Sequence, residues 1–338
     1  MIVGAGVVGL YLAKLLGEQV VLEKNKKLLE KACGGLFSKN IKKLDVDLSE
    51  SVVNEVRGAK FFYKDKSFEV KKNTTQAFVV DRFKFQESLL KDALDEKNKV
   101  MFGTAWKGQE DNYVIGADGA LSEVAKSLGI KRKYFYTYQE TVQLGKKIDP
   151  DFVELHFGEF APGFFAWLIP LDEKTARLGV GCVKGNPGTH YSSFVKRFDV
   201  AKVLKKQAGI IPVFDNKKVV YGNKALVGDA AAQVKASTGG GVVFGMLCAE
   251  ELKKAVKKEN LQAYEKNIRR KYYKDLKFHL LVRKFLNHVN YGKLFNAIEK
   301  EKIARLIEEQ GDMEEAAKLK KALLRKPLTL AKLAFTLL

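Results

Sequence analysis

The sequence predicts a mixed α/β fold in which a parallel core is interleaved with an antiparallel sheet and closed by a basic helical region. Three observations predict it. A glycine-rich turn joins an apolar start to a helical repeat, short alternating segments recur in two later blocks, and the chain beyond Gly245 is almost wholly helical. The expected divisions are 1–58, 81–135 and 206–250 for the parallel core. Residues 59–80 and 136–205 form the antiparallel sheet, and 251–338 the helical region.

The opening Met1-Ile2-Val3 reads as a strand, Gly4-Ala5-Gly6-Val7-Val8-Gly9 as a tight turn, and Leu10 to Leu16 as a helix. Gln19 to Glu23 is the next strand. So little chain precedes the turn that either the true start lies upstream or this central strand is clipped. Lys60–Tyr63, Ser67–Val70 and Ala77–Val80 read as an antiparallel meander, and Asp81 caps a helix over 81–95. Strand-like segments over 99–119 end in Gly116-Ala117-Asp118-Gly119. A second β-rich block runs from Tyr136 to Cys182, and Lys224–Val227 is a short buried strand.

Composition sets bounds. The 338 residues are 46% hydrophobic and 30% charged, enough for two or three packed domains, which excludes disordered, fibrous and disulfide-scaffold classes. Three cysteines (Cys33, Cys182, Cys248) and no recognisable leader point to a reducing, cytoplasmic compartment. Four scattered histidines share no ligand spacing with them, so no metal site is expected. The longest apolar stretch, Phe164 to Leu171, is too short to span a bilayer. The net charge of +20 is uneven, since residues 251–338 hold 22 basic and 11 acidic side chains. Such an excess suits an anionic partner or simple solubility. No recognition module accompanies it, so nucleic acid is not expected.

The chemistry resides in the glycine motifs. Gly4-x-Gly6-x-x-Gly9 between strand and helix is of Rossmann type, because the backbone can approach a pyrophosphate at the helix's positive end. Glu23 closes the next strand where a carboxylate binds a ribose hydroxyl and repels a 2′-phosphate, leaving NAD or FAD. Downstream, Gly228-Asp229-Ala230-Ala231 follows a buried strand, and Gly239-Gly240-Gly241 opens another helix at Val242. A simple dehydrogenase has no use for this second site, whereas an extended flavin dinucleotide does. Asp229 as an ordinary cap is the alternative.

These residues, with Arg82 and the Asp118-Gly119 pair, resemble the flavin oxidoreductases of the p-hydroxybenzoate-hydroxylase fold. Cys33-Gly34-Gly35, Phe165-Ala166-Trp167-Leu168-Ile169-Pro170 and the run from Gly228 to Gly241 are similar to the geranylgeranyl reductase family. The resemblance implies FAD as cofactor. Gly4, Ala5, Gly6, Gly9 and Arg82 would lie at the pyrophosphate and Glu23 at the adenosine ribose. Ala105 would be at adenine and Asp229 at the ribityl chain, with Gly34, Gly35, Gly239, Gly240, Gly241 and Val242 around the ring system. It also implies hydrogenation of C=C bonds in geranylgeranyl chains of archaeal-type membrane lipids, with Phe165 and Trp167 along the apolar tail. Phe165 and Ile169 stand where Tyr and Phe are commoner in the family.

An isolated alkene accepts hydride poorly, so a positioned acid is required, and Cys33 is the reactive residue that the motif places near the ring. Packing in a tight loop explains Cys33 equally. Only one dinucleotide fold is legible, so an external donor, NAD(P)H or ferredoxin, meets the flavin transiently. The basic amphipathic segments Lys271–Asn290 and Lys326–Leu338 would cover the lipid tunnel and rest on the anionic inner face of the cell membrane. A flavin-dependent aromatic hydroxylase or halogenase, an electron-transfer flavoprotein and a lipid carrier are the competing readings. The last-but-one usually needs a four-thiolate cluster that three dispersed cysteines do not supply.

Overall fold

The computed structural model describes residues 1–300 together with Ala304, Arg305 and Glu308. In chain order the elements are β1 (Ile2–Val3), α1 (Val7–Leu16), β2 (Val20–Glu23), β3 (Leu36–Ser38), β4 (Val52–Val56), β5 (Gly58–Tyr63), β6 (Lys66–Lys71) and β7 (Ala77–Val80). Then come α2 (Arg82–Asp95), β8 (Lys99–Phe102), β9 (Val114–Gly116), α3 (Glu123–Ser127), β10 (Tyr134–Leu144), β11 (Phe152–Phe157), β12 (Ala166–Pro170) and β13 (Thr175–Cys182). The rest are α4 (Pro187–Val195), β14 (Val200–Pro212), β15 (Val220–Tyr221), β16 (Lys224–Leu226), α5 (Val242–Lys257), α6 (Leu261–Lys271), α7 (Tyr273–Leu286) and α8 (Tyr291–Lys300).

The expected architecture is present. A six-stranded sheet in the order β15-β16-β9-β1-β2-β8 is parallel except for the β15–β16 hairpin. Its central strand β1 is only two residues long, yet it pairs with β2 on one side and β9 on the other. A seven-stranded sheet, β14-β10-β13-β12-β11-β5-β6, is antiparallel except where β11 runs parallel to β5. A three-stranded sheet has the order β3-β7-β4, with β5 and β6 of the large sheet falling between β4 and β7 in sequence.

Two details differ from the sequence reading. The segment over 59–80 is not one meander. Its β5–β6 hairpin joins the large sheet, whereas β7 pairs with β3 and β4, because its four residues are all buried and need strands on both sides. β14 also stays paired with β10 as far as Pro212, past the boundary expected before residue 206. Lys326–Leu338 lies outside the described residues.

The close approach of α1 to the parallel sheet depends on glycine. A Cβ on Gly9 would stand 2.0 Å from the Gly4 carbonyl oxygen, and one on Gly4, whose φ is +105°, would stand 2.7 Å from Ala117 O. α1 then crosses α5 at an equally tight point. A Cβ on Gly245 would meet Val8 at 2.7 Å and the Gly228 backbone at 3.1 Å. Buried apolar side chains from both helices and the parallel strands, among them Leu10, Leu12, Phe244, Met246 and Leu252, fill the main core.

The turn after β16 is held from two directions. Tyr264 of α6, fully buried, donates its hydroxyl to Leu226 O and accepts from Gln233, whose amide oxygen in turn accepts from Gly228 N. Arg132 reaches Ala230 O while pairing with both oxygens of Asp215 at 3.0 Å.

Because only hydrogen fits between α1 and β1, Gly9→Ala should lower stability by about 3 kcal/mol. Urea titration of the purified chain measures this, and a midpoint unchanged from wild type would contradict the stated packing.

Candidate functional site

Helix starts carry unpaired N–H groups, and most here are satisfied by a neighbouring side chain. Asp81, Ser122, Asn186 and Asn260 cap α2, α3, α4 and α6. α1 and α5 instead begin on Gly6 and Gly241 with no side-chain cap. Their crossing at Val8, Gly228 and Gly245 brings both starts to one cleft. Gly6 also has room: a Cβ there would meet nothing nearer than 4.0 Å, so protein packing does not require glycine at this position. Open N–H groups beside an open backbone make an anion cradle, and the residues fit a dinucleotide pyrophosphate.

The charged residues singled out in the sequence ring this cleft. Glu23 ends β2, where its carboxylate accepts from Ala5 N and Asn25 N, both at 3.0 Å, tying the first glycine turn to the strand end. A carboxylate retains further lone pairs for a hydroxyl. Arg82 opens α2 and donates to Gln86, whose amide donates to Ala5 O at 2.8 Å. Asp229 lies in the turn after β16. Its desolvated surroundings raise its pKa, opposed by the charges of Arg82 and Lys31. A Cβ on Gly241 would sit 2.9 Å from its Oδ1, so the second glycine run passes directly over Asp229. Ala105 is exposed in the segment after β8, beside Thr104, whose N–H donates to Glu23 O.

Cys33, Gly34 and Gly35 form a strap between this cleft and the large sheet. Gln139 of β10 donates to Cys33 O at 2.8 Å, and Arg177 of β13 donates to Gly34 O at 2.8 Å. A Cβ on Gly34 would meet Ile169 at 2.9 Å, and one on Gly35 would overlap the Arg177 guanidinium. Cys33 Sγ accepts from Gly35 N at 3.3 Å and is half-buried, unlike Cys182 and Cys248, which are fully buried in β13 and α5. Desolvation pushes the Arg177 pKa below its usual value, with Cys33, Asp81 and Glu30 supporting its charge. Asp118 supports the start of α3, one carboxylate oxygen accepting from Glu123 N at 2.7 Å, while its other oxygen is buried without a hydrogen-bond partner.

The aromatic motif faces the same junction. Phe165 and Trp167 make an edge-to-face pair 6.1 Å apart, and Phe164 stacks on Phe165 at 4.3 Å. Glycines on β13 admit them, because a Cβ on Gly179 or Gly181 would lie 2.3 Å from the Trp167 or Phe164 ring. Phe157, Phe295 and Tyr291 extend this apolar wall, so α8 closes one side of it.

Four contributors escaped sequence reading. Lys31 stands two residues before the cysteine, Gln139 and Arg177 grip the strap, and Arg283 of α7 grips the second glycine run. Arg283 donates to Ala236 O, Phe164 O and Ser237 O and lies 4.6 Å over the Phe164 ring. Burial lowers its pKa to about 10. The signal was available in part. Tyr273, Leu276, His279 and Arg283 form the buried stripe of α7, and charged residues on an apolar stripe mark a buried contact. His279 also bonds Ser237 through Nδ1 at 2.6 Å.

The arrangement of a parallel dinucleotide-type sheet, an interleaved antiparallel sheet and helices is the p-hydroxybenzoate-hydroxylase-like fold. A geranylgeranyl bacteriochlorophyll reductase-like protein from Thermoplasma acidophilum superimposes with a TM-score of 0.83 at 21% identity, covering 99% of this chain and 98% of that one. The flavin-dependent halogenase CmlS has a TM-score of 0.61 at 14% identity, covering 97% of this chain and 69% of its own, a likeness of fold alone.

Sequence comparison narrows this. The model of the geranylgeranyl reductase catalytic domain matches residues 134–214. A digeranylgeranylglycerophospholipid reductase of Methanocaldococcus jannaschii is 30% identical over 293 residues, 72% of this chain and 74% of that protein. An uncharacterized protein of the same organism is 26% identical over 94% of this chain and 92% of its own length. The chain belongs to the geranylgeranyl reductase family.

Removing the Arg283 guanidinium would leave three buried or half-buried carbonyls without their donor. Arg283→Met should therefore cost about 3 kcal/mol in urea unfolding and speed proteolysis within residues 236–241. Wild-type stability and cleavage pattern in this variant would show that Arg283 does not hold the glycine run.

Proposed function

We propose that this protein is an FAD-dependent reductase that hydrogenates C=C bonds of geranylgeranyl chains on archaeal-type membrane lipids. The observation that carries the reading is the meeting of two uncapped glycine helix starts, ringed by Glu23, Arg82 and Asp229, with an aromatic wall next to the Cys33 strap. Its relatives in the family include proteins named as digeranylgeranylglycerophospholipid reductases.

Gly4, Ala5, Gly6 and Gly9 with Arg82 would hold the pyrophosphate, Glu23 the ribose, Ala105 the adenine edge and Asp229 the ribityl hydroxyls. Gly34, Gly35, Gly239, Gly240, Gly241 and Val242 would offer backbone to the ring system. Reduced FAD, when bound, supplies the two electrons as hydride to one alkene carbon. The other carbon takes a proton, and Cys33 is the acid that this chain positions for it. Positioned acids contribute roughly 10²–10⁴-fold. Phe165 and Trp167 bury the polyprenyl tail and exclude water, each Å² of apolar surface contributing ~25 cal/mol. The thiol would be reprotonated from solvent, and the electrons would come from an external donor, a nicotinamide or ferredoxin.

The reading includes a peripheral contact with anionic lipid. Among the described residues no helix is long and apolar enough to cross a membrane. The outward face of α7 carries Leu281 and Phe285, 61% and 46% exposed and one turn apart, among exposed Lys274, Lys277 and Lys284. Apolar anchors flanked by lysines suit an interfacial helix.

Two measurements test the proposal. Purified protein supplied with FAD should show a bound-flavin absorption band. After dithionite reduction it should add mass in units of two hydrogens to geranylgeranyl lipids, as read by mass spectrometry. Cys33→Ala should keep the flavin and lose about a hundredfold or more in rate. A colourless protein, or lipid masses that never change, would refute the assignment. Separately, sedimentation with anionic vesicles should be salt-sensitive and should fall sharply in Leu281→Asp/Phe285→Asp, and equal pelleting of both proteins would remove the membrane contact.

A further inference from the structure

We propose that Lys31 is the second cation of the dinucleotide diphosphate site, reaching across from the Cys33 strap to pair with the phosphates opposite Arg82. This rests on the flavin reading above and adds a residue that neither the glycine motifs nor the comparisons mark.

Position is the first argument. The Lys31 ammonium lies 4.0 Å from the place a Cβ on Gly6 would occupy and 3.9 Å from that of Gly119. It therefore stands over the first glycine turn, facing the uncapped start of α1. Electrostatics is the second. Among the described residues this ammonium has no hydrogen-bond or ion-pair partner, and Glu23 and Asp229 act on it only through space. The side chain as a whole is exposed, and its ammonium end lies against the Gly6 and Gly119 turns. Desolvation lowers its pKa, and the like charge of Arg82 lowers it further. An unpaired cation that feels the like charge of Arg82 through space is favoured by an anion shared between them. The dinucleotide diphosphate carries two negative charges, which Arg82, Lys31 and the N–H groups of α1 would share.

The location in the chain gives the contact a consequence. Glu30 pairs with Lys205 of β14, and Cys33 O is held by Gln139, so Lys31 lies on a segment fixed at both ends to the large sheet. A phosphate gripped by Lys31 thus joins the antiparallel sheet to the dinucleotide cleft. The specificity expected is for ligands that contain the diphosphate.

The test is calorimetric titration of flavin-free protein with FAD and with ADP-ribose, which shares the diphosphate and lacks the ring system. Lys31→Met should weaken both by about tenfold or more, with the unfolding temperature of the ligand-free protein equal to or above that of wild type. Lys31→Arg should restore binding of both. The pH dependence has a definite sign. Lysine binds phosphate only when protonated, so wild-type affinity is full below the lowered Lys31 pKa and declines as pH rises through it. Lys31→Arg stays charged and should not show this decline. ADP-ribose affinity equal to wild type in Lys31→Met, or a loss that arginine fails to recover, overturns the proposal. If wild-type protein binds neither ligand, the flavin reading fails with it.

Discussion

The site depends on how closely α1, α5 and the turn after β16 approach one another. Gly228 and Gly245 let Val8 sit against bare backbone from both sides, and Gly9 lets α1 lie on the Gly4 carbonyl. Each is a place where one methyl group would force the elements apart. Without these contacts the two helix starts would point into separate regions, and each would need its own polar cap. With them, two helix starts without side-chain caps come close together, an arrangement suited to an anionic ligand.

Around that cleft, charge is arranged in opposed pairs. Glu23 and Asp229 answer Arg82 and Lys31, and none of the four is placed in a tight ion pair with another. Glu23 is committed to backbone N–H groups, Arg82 to Gln86, and Asp229 is desolvated beside the second glycine run. Side chains that bond strongly to each other would have little capacity left for a ligand. Here the protein uses backbone and amide partners to hold orientation while leaving the charges free to act outward.

The antiparallel sheet contributes by gripping rather than by covering. Gln139, Arg177 and the Glu30–Lys205 pair fasten the strap that carries Cys33, and Arg283 fastens the second glycine run to Phe164. The aromatic wall is therefore bound mechanically to the strap and to the second glycine run. Gly179 and Gly181 allow Trp167 and Phe164 to lie flat on β13, so rings and strap meet at the junction between sheets.

The fold class was legible because the local signals are strong. A glycine turn between β1 and α1, the Asp81 cap and the alternation in β10 to β13 each reflect backbone geometry set within a few residues. The two glycine turns and the place of Glu23 at the end of β2 were legible for the same reason, since motif spacing fixes their relation to a helix start. The split of β7 from the β5–β6 hairpin was not, because alternation tells which face is buried and not which strand lies alongside. Lys31 and Arg177 were invisible, and Arg283 was only partly marked by the stripe of α7, for a related reason. Their chemistry comes from contacts 143 residues apart for Arg177 with Gly34 and 119 apart for Arg283 with Phe164. Sequence alone determined that two glycine-started helices exist; only tertiary packing decided that they face each other, because a close approach requires both surfaces at once.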